Sequence, residues 1–310
     1  MNKQVEGMFD AGNGLALLEG AAAAYGDEGG MNAWAEGRGC AESRRIEDAG
    51  TDTLCFAAWN AVDLFVVFRG TRDLRNWITD LDVRRVNVAA ALCADSRAGG
   101  STLQPEVHEG FWTALECVWP ALNGLLTANA PGKRVWFGGH SLGGALAMLA
   151  AARFNMGRAA VPRSPDSVDA QQRVPTDVWL YTFGQPRVGD GAWRDWFDAR
   201  MRGQAFRVVH AEDVVPRVPP LLFGYRHAGV EVFYPGSAGA SPCRIDPPWW
   251  TKAFSDVFGT LREWTADGRV SLLWDHRVEA YLEMLEGGSG NRNGGIIAAA
   301  SGRCPQEHGI

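Results

Sequence analysis

The sequence predicts an α/β fold with a mostly parallel central sheet and flanking helices. Strand-like and helix-like runs alternate through the middle of the chain, the pattern of crossover units. Residues 134–154, RVWFGGHSLGGALAMLAAARF, pass from an apolar strand-like run into an apolar helix-like run through a glycine-crowded turn centred on Ser141. The bulk numbers agree with such a fold. A chain of 310 residues, 46% hydrophobic and 21% charged, is long enough to bury a large core.

Each element has its own warrant. Leu15–Tyr25 is rich in Ala and Leu and reads as a helix. TLCFAAWNAVDLFVVFRG (53–70) reads as two strands joined at Asn60–Ala61. Within Phe111–Leu126 the apolar residues Trp112, Leu115, Trp119, Leu122 and Leu126 recur at helical spacing. RVWF (134–137) is a short buried strand, and Ala145–Phe154 the helix after it. VWLYTF (178–183), FRVVH (206–210) and HAGVEVFY (227–234) read as strands, and Trp193–Met201 and His276–Glu286 as helices. The polar, proline-bearing stretch Val161–Thr176 reads as a surface insertion. No internal repeat or interdomain linker is visible. Residues 1–286 are expected to form one domain, and the glycine-rich, aperiodic tail 287–310 to be disordered.

Several function classes are excluded. Net charge is −6 at pH 7 and the Lys and Arg residues are scattered, so there is no basic footprint for nucleic acid. No apolar run of about 18 residues is present, so no transmembrane helix is expected. Glu6, Asp10 and Glu19 stand where a secretory signal needs a basic and then an apolar stretch. The expectation is a cytoplasmic protein, or one exported without an N-terminal signal peptide. The six cysteines form no C-x-x-C pair and no zinc spacing. They read as free thiols in a reducing compartment, although their even number leaves disulfides open. No metal or organic cofactor is expected.

Gly139-His140-Ser141-Leu142-Gly143 is a G-x-S-x-G pattern, weak alone and stronger between a strand and a helix. A tight turn there pushes the serine hydroxyl clear of the sheet and aims the Leu142 N–H at the same point. A serine hydroxyl needs a base, and the base needs an orienting acid. In a strand–turn–helix setting the expected chain order is serine, acid, histidine. His140 is too close to Ser141, and His108 precedes it. His210 and His227 lie in strand-like runs and His308 in the tail. His276 remains, beside Asp275 on a loop that begins an apolar helix. For the acid, FRVVHAEDVVPRVPP ends a buried strand and is followed by Glu212 and Asp213, where open α/β sheets gather functional groups. Asp213 is chosen, with Glu212 in reserve.

Six segments in order then resemble the class 3 lipase family of α/β-hydrolases. They are VVFRGTRDLRNWITDLDV (66–83), VHEGFW (107–112), GGHSLGGALA (138–147), YTFGQPRVGD (181–190), RVVHAEDVVPRVPP (207–220) and DHRVEAYLEML (275–285). The likeness runs from about Leu15 to Leu285. It implies an α/β-hydrolase fold with a short helical lid, Ser141 as nucleophile, Asp213 as acid and His276 as base. It also implies an oxyanion hole from Thr71 and the N–H of Leu142. After Thr71, the residues Leu74, Trp77, Ile78 and Leu81 give one apolar helical face where the family has its lid. The same spacing also suits an ordinary amphipathic core helix. Compared with fungal members, this chain lacks an evident signal peptide, carries the insertion at 161–176, and has a Trp-rich stretch, DPPWWTKAFSDVFGTLREW (246–264). Trp249 and Trp250 either wall an acyl groove or pack under a loop. The implied activity is hydrolysis of a lipid or other ester, with transient contact at a lipid interface. A triacylglycerol lipase is the first expectation. A phospholipase A1, a monoacylglycerol lipase or an aryl or feruloyl esterase is the alternative, and an inactive lipid-binding module a remote one.

Overall fold

Successive side chains of each central strand face opposite sides of the sheet, and this divides the interior in two. In the computed structural model, which describes residues 9–74, 77, 82–92, 104–159, 177–210, 213–234 and 276–289, seven strands form one sheet. They are β1 (Glu42–Asp48), β2 (Thr53–Trp59), β3 (Asp63–Phe68), β6 (Arg134–His140), β7 (Val178–Phe183), β8 (Ala205–His210) and β9 (Val230–Tyr234), adjacent in that order. The β1–β2 and β2–β3 pairs are antiparallel; every later pair is parallel. Val66 and Phe68 of β3 and Val135 and Phe137 of β6 face one layer. Val67 and Trp136 face the other, as the two-residue period of a strand requires.

The first layer is covered by α4 (Glu109–Asn129), α5 (Leu142–Ala159) and α6 (Gly191–Arg200). The second is covered by α1 (Ala11–Ala23), α2 (Glu28–Glu36) and α7 (Val278–Ser289). A separate two-stranded ladder joins β4 (Arg85–Asn87) to β5 (Glu106–His108), with the one-turn helix α3 (Ala89–Leu92) between them in sequence.

The expected strands and helices are present, with shifted ends. The turn between β2 and β3 is held by the Asn60 side chain, whose Oδ1 accepts from the N–H groups of Val62 and Asp63 at 2.8 Å each. Helix α5 starts three residues earlier than expected, directly after Ser141. His227 lies outside β9, because Gly229 turns the chain at φ +81° just before the strand. Helix α7 runs through Ser289, three residues into the stretch assigned to the tail. The insertion at 161–176, the Trp-rich stretch 246–264 and residues 290–310 lie outside the described residues.

The register places the site. Phe68 pairs with Gly139, His140 with Phe183, and Phe183 with Val208. The carboxyl ends of β3, β6, β7 and β8 are therefore level. The residues that follow them, Thr71, Ser141, Gly184 and Asp213, emerge along one edge of the sheet, where open α/β sheets carry their ligands.

Candidate active site

Ser141 leaves β6 with φ +60°, in the left-handed region that a residue with a Cβ seldom occupies. The neighbouring glycines show what forces it there. A Cβ on Gly139 would stand 2.3 Å from the carbonyl oxygen of Gly143, and one on Gly143 would stand 2.3 Å from that of Phe68. The end of β3, the end of β6 and the first turn of α5 are packed backbone to backbone. The strained turn leaves Ser141 1% exposed, its Oγ without a hydrogen-bond partner among the described residues. An orphaned polar atom at a strained position is uncommon in a settled core.

His276 stands in the turn before α7 and is 2% exposed. Its Nδ1 lies 2.8 Å from Oδ2 and 3.0 Å from Oδ1 of Asp213. That contact puts the proton on Nδ1 and leaves Nε2 as a free acceptor, and Nε2 has no partner among the described residues. Asp213 is 1% exposed and well supplied with donors. Oδ1 accepts the Val215 N–H at 2.8 Å and Oδ2 accepts the Tyr281 hydroxyl at 2.6 Å. Tyr281 in turn accepts the His210 N–H at 3.1 Å. Such an array fixes the plane of the carboxylate against the His276 ring. Gly184, with φ +58°, makes room for the pair: a Cβ there would sit 2.7 Å from Asp213 Oδ2 and 2.8 Å from His276 Cε1.

Ser141 and His276 line the same cavity of about 330 Å³, with Thr71, Leu74, Tyr25 and His140. Helix α7 supplies Val278, Glu279 and Leu282, and Arg277 stands just ahead of it. The structure thus brings Ser141, Asp213, His276, Thr71 and Leu142 to one edge of the sheet. Leu142 is the first residue of α5, so its N–H is among those a helix leaves unpaired at its start. The Thr71 hydroxyl accepts the Asp73 N–H at 3.3 Å. Among the described residues no cluster of metal-ligating side chains is present.

Of the other sequence candidates, Glu212, Asp275 and His308 lie outside the described residues, as do the lid positions Ile78 and Leu81. Leu74 reaches the cavity. Trp77 stacks on Phe111 at 6.0 Å between ring centres. His108 caps α4 by accepting the Phe111 N–H, and His227 bonds the Pro216 carbonyl. His140, set aside for its closeness to Ser141, bonds the Tyr25 hydroxyl and the His276 carbonyl through its two ring nitrogens, and it lines the cavity. Burial and the neighbouring His276 push its pKa well below the ordinary histidine range. Cys40, Cys55 and Cys117 are free thiols.

The model of the family described as Lipase (class 3) matches residues 65–223, from β3 to the turn that follows Asp213. The chain belongs to the class 3 lipase family. A secreted mono- and diacylglycerol lipase 1 from Fusarium solani is 36% identical over 178 residues, covering 56% of this chain and 44% of the relative. A phospholipase A1-II 4 from Oryza sativa subsp. japonica is 29% identical over 254 residues, covering 77% of this chain and 54% of the relative. The chain therefore spans about half the length of these curated relatives. Among solved structures, lipase II from Rhizopus niveus superposes with a TM-score of 0.55 at 27% identity, covering 75% of this chain and 83% of that one. Like the sheet order, this class 3 lipase neighbour assigns the α/β-hydrolase fold.

Three participants were missed by sequence reasoning. Gly184 matters through its positive φ, Tyr281 through a contact 68 residues away in sequence, and His140 through its ring orientation. Gly184 and His140 leave no pattern in the chain that gives these roles. Tyr281 has only a faint one, lying five residues after His276 where a helix brings it back toward the sheet.

Proposed function

We propose that the protein is a serine-dependent carboxylic ester hydrolase acting on acylglycerols, with Ser141 as nucleophile, His276 as base and Asp213 as the orienting acid. The observation that carries this is the pair of orphaned buried atoms, Ser141 Oγ and His276 Nε2, in one cavity, with Nδ1 already bound to Asp213. A serine–histidine bond left open in an unliganded site commonly forms only in the substrate complex.

In the first step Oγ bonds to the ester carbonyl carbon as its proton passes to His276 Nε2. The carbonyl oxygen takes the negative charge in front of the Leu142 N–H and the backbone at Thr71. Preorganised donors of this kind each lower a barrier by roughly 3–4 kcal/mol. Asp213 remains ionised and stabilises the imidazolium. The intermediate collapses as His276 protonates the leaving alcohol, giving an acyl-serine. Water then adds to the acyl carbon, losing a proton to His276. That proton returns to Oγ as the carboxylic acid departs. The chemistry requires no cofactor.

The Fusarium relative's name supports acylglycerols as substrate. A second reading, hydrolysis of phospholipid acyl esters, is favoured by the charged pair Arg277 and Glu279 in the cavity wall, 3.3 Å apart, and by the name of the Oryza relative. The test is a fluorophosphonate probe together with p-nitrophenyl esters of increasing length, emulsified acylglycerols and phospholipid vesicles. The wild type should be labelled at Ser141, and Ser141→Ala should be neither labelled nor active. Asp213→Asn and His276→Ala should each lose several orders of magnitude in turnover, because the three act as one unit. Labelling of Ser141→Ala would sink the assignment of the nucleophile. Faster release of fatty acid from phospholipid than from acylglycerol would select the second reading.

A further inference from the structure

Tyr25 lies two residues beyond α1 and 116 positions before Ser141, outside every motif read from the sequence. Its hydroxyl oxygen is 2.9 Å from His140 Nδ1. His140 Nε2 is 2.6 Å from the carbonyl oxygen of His276. A carbonyl only accepts, so Nε2 carries the proton. In a neutral ring Nδ1 is then the acceptor, and the tyrosine hydroxyl must donate to it. Burial holds the ring neutral, and the nearby His276 acts in the same direction. The chain of donors therefore runs one way, from Tyr25 through His140 to the backbone of His276.

The same hydroxyl also touches the opposite side of the site. A Cβ on Gly70 would lie 2.1 Å from it, 2.7 Å from the His140 carbonyl oxygen and 3.1 Å from Ser141 Cβ. Gly70 is the residue before Thr71. One hydroxyl in the cavity wall thus abuts the strand end that leads to the oxyanion backbone. Through one imidazole it also holds the residue that carries the base.

We propose that Tyr25 is a positioning residue, acting through His140 and against Gly70 to set the distance between the Thr71 backbone and the His276 ring. The inference rests on the hydrolase reading of the site. His276 occupies a turn rather than a strand, so no sheet ladder holds it. It is held through Nδ1 by Asp213 and through its carbonyl by His140. The first bond orients the ring, and the second fixes the backbone from which the ring extends. A displacement of about 1 Å at the base costs as much as roughly a hundredfold in rate.

The experiment uses a soluble short-chain p-nitrophenyl ester, with rates expressed per active serine titrated by a fluorophosphonate. Tyr25→Phe should lower kcat about tenfold or more, with KM held within about twofold, because the ground-state cavity is nearly unchanged. His140→Gln, whose amide can still donate to the His276 carbonyl, should retain most of kcat, and His140→Leu should not. An unchanged kcat per titrated serine in Tyr25→Phe, or a loss confined to KM, overturns the proposal. If Tyr25→Phe does not fold, the His140 pair decides: equal kcat in Gln and Leu variants overturns it, and a surplus in Gln supports it. A wild type that neither labels nor turns over ester would sink the hydrolase reading itself. A labelled, active wild type beside an indifferent Tyr25→Phe would sink only the role of Tyr25.

Discussion

At Gly184 a single methyl group would undo the pairing of Asp213 with His276. The position has φ +58°, and a Cβ there meets Asp213 Oδ2 at 2.7 Å and His276 Cε1 at 2.8 Å. Gly184→Ala is expected to lose roughly a hundredfold or more in kcat/KM while costing about 1–3 kcal/mol of stability. Steady-state kinetics beside urea unfolding checks both, and near-normal turnover would mean the pair tolerates displacement. Ser141 shows the opposite trade. Its φ of +60° and its unpartnered buried hydroxyl both oppose folding. Ser141→Gly should be inactive yet more stable by about 1–2 kcal/mol, since glycine adopts that backbone freely. A lower urea midpoint for Ser141→Gly would remove strain from the account. Ser141, Asp213 and His276, which the structure brings together, were legible in the chain, because a nucleophile, acid and base of the proposed kind are constrained in type and order. Gly184, Tyr281 and His140 were not, because their roles exist only once distant segments meet.

Legibility at the scale of elements follows burial. The parallel strands β6, β7 and β8 are short apolar runs because both faces are covered, and the sequence marks them plainly. Strand β1 was not visible. ESRRIED buries only Ile46, and its charges suit a sheet edge that must not pair further. Helix α2 was hidden by Gly29 and Gly30, and it is held by the Asp27 side chain accepting the Gly30 N–H at 2.9 Å. The segment after Thr71 was read as an apolar helical face, and two of its four positions are described. Leu74 borders the cavity and Trp77 stacks on Phe111, whose ring stacks on His108 at 4.0 Å. His108 Nε2 bonds the Asp82 carbonyl, so the far end of the segment is tied to the same aromatic column. If this segment gates the cavity, its closed form is held by the partial burial of Trp77 and by its stacking on Phe111, the stacking worth about 0.5–1.5 kcal/mol. Trp77→Ser should then flatten the rise in rate as a short-chain ester passes its solubility limit. A smooth hyperbolic curve in the wild type, unchanged in Trp77→Ser, would leave the segment as a fixed wall.

For the whole molecule, the consequence of burying the site's surroundings is a dependence of stability on pH. His108 and His140 are both 4% exposed, and both have their pKa pushed down, chiefly by burial. Each is satisfied as a neutral ring. His108 Nδ1 accepts the Phe111 N–H and its Nε2 faces the Asp82 carbonyl; the carboxylates of Asp82 and Glu109 nearby only partly offset the burial. His140 accepts from Tyr25 and donates to His276. A second proton on either ring would confront a donor already in place. Well above about pH 6.5 both histidines are neutral folded and unfolded, so they add no slope. Below it the unfolded chain binds protons that the folded chain refuses, and stability falls with pH until the folded pKa values are reached. Each such histidine contributes up to ~1.4 kcal/mol per pH unit in that window, so the two together give up to ~2.7 kcal/mol per unit. Asp198, whose carboxyl is pushed up mainly by burial, acts with the opposite sign nearer the carboxylate range. The informative interval is therefore about pH 5.5–7. Urea unfolding across it should show the wild type losing stability toward acid. His140→Gln should lose it with a slope smaller by up to about one proton toward the acid end, since glutamine does not titrate. Equal slopes in the two proteins would mean that His140 takes up a proton in the folded state, and the one-way donor chain from Tyr25 to His276 would fail with it.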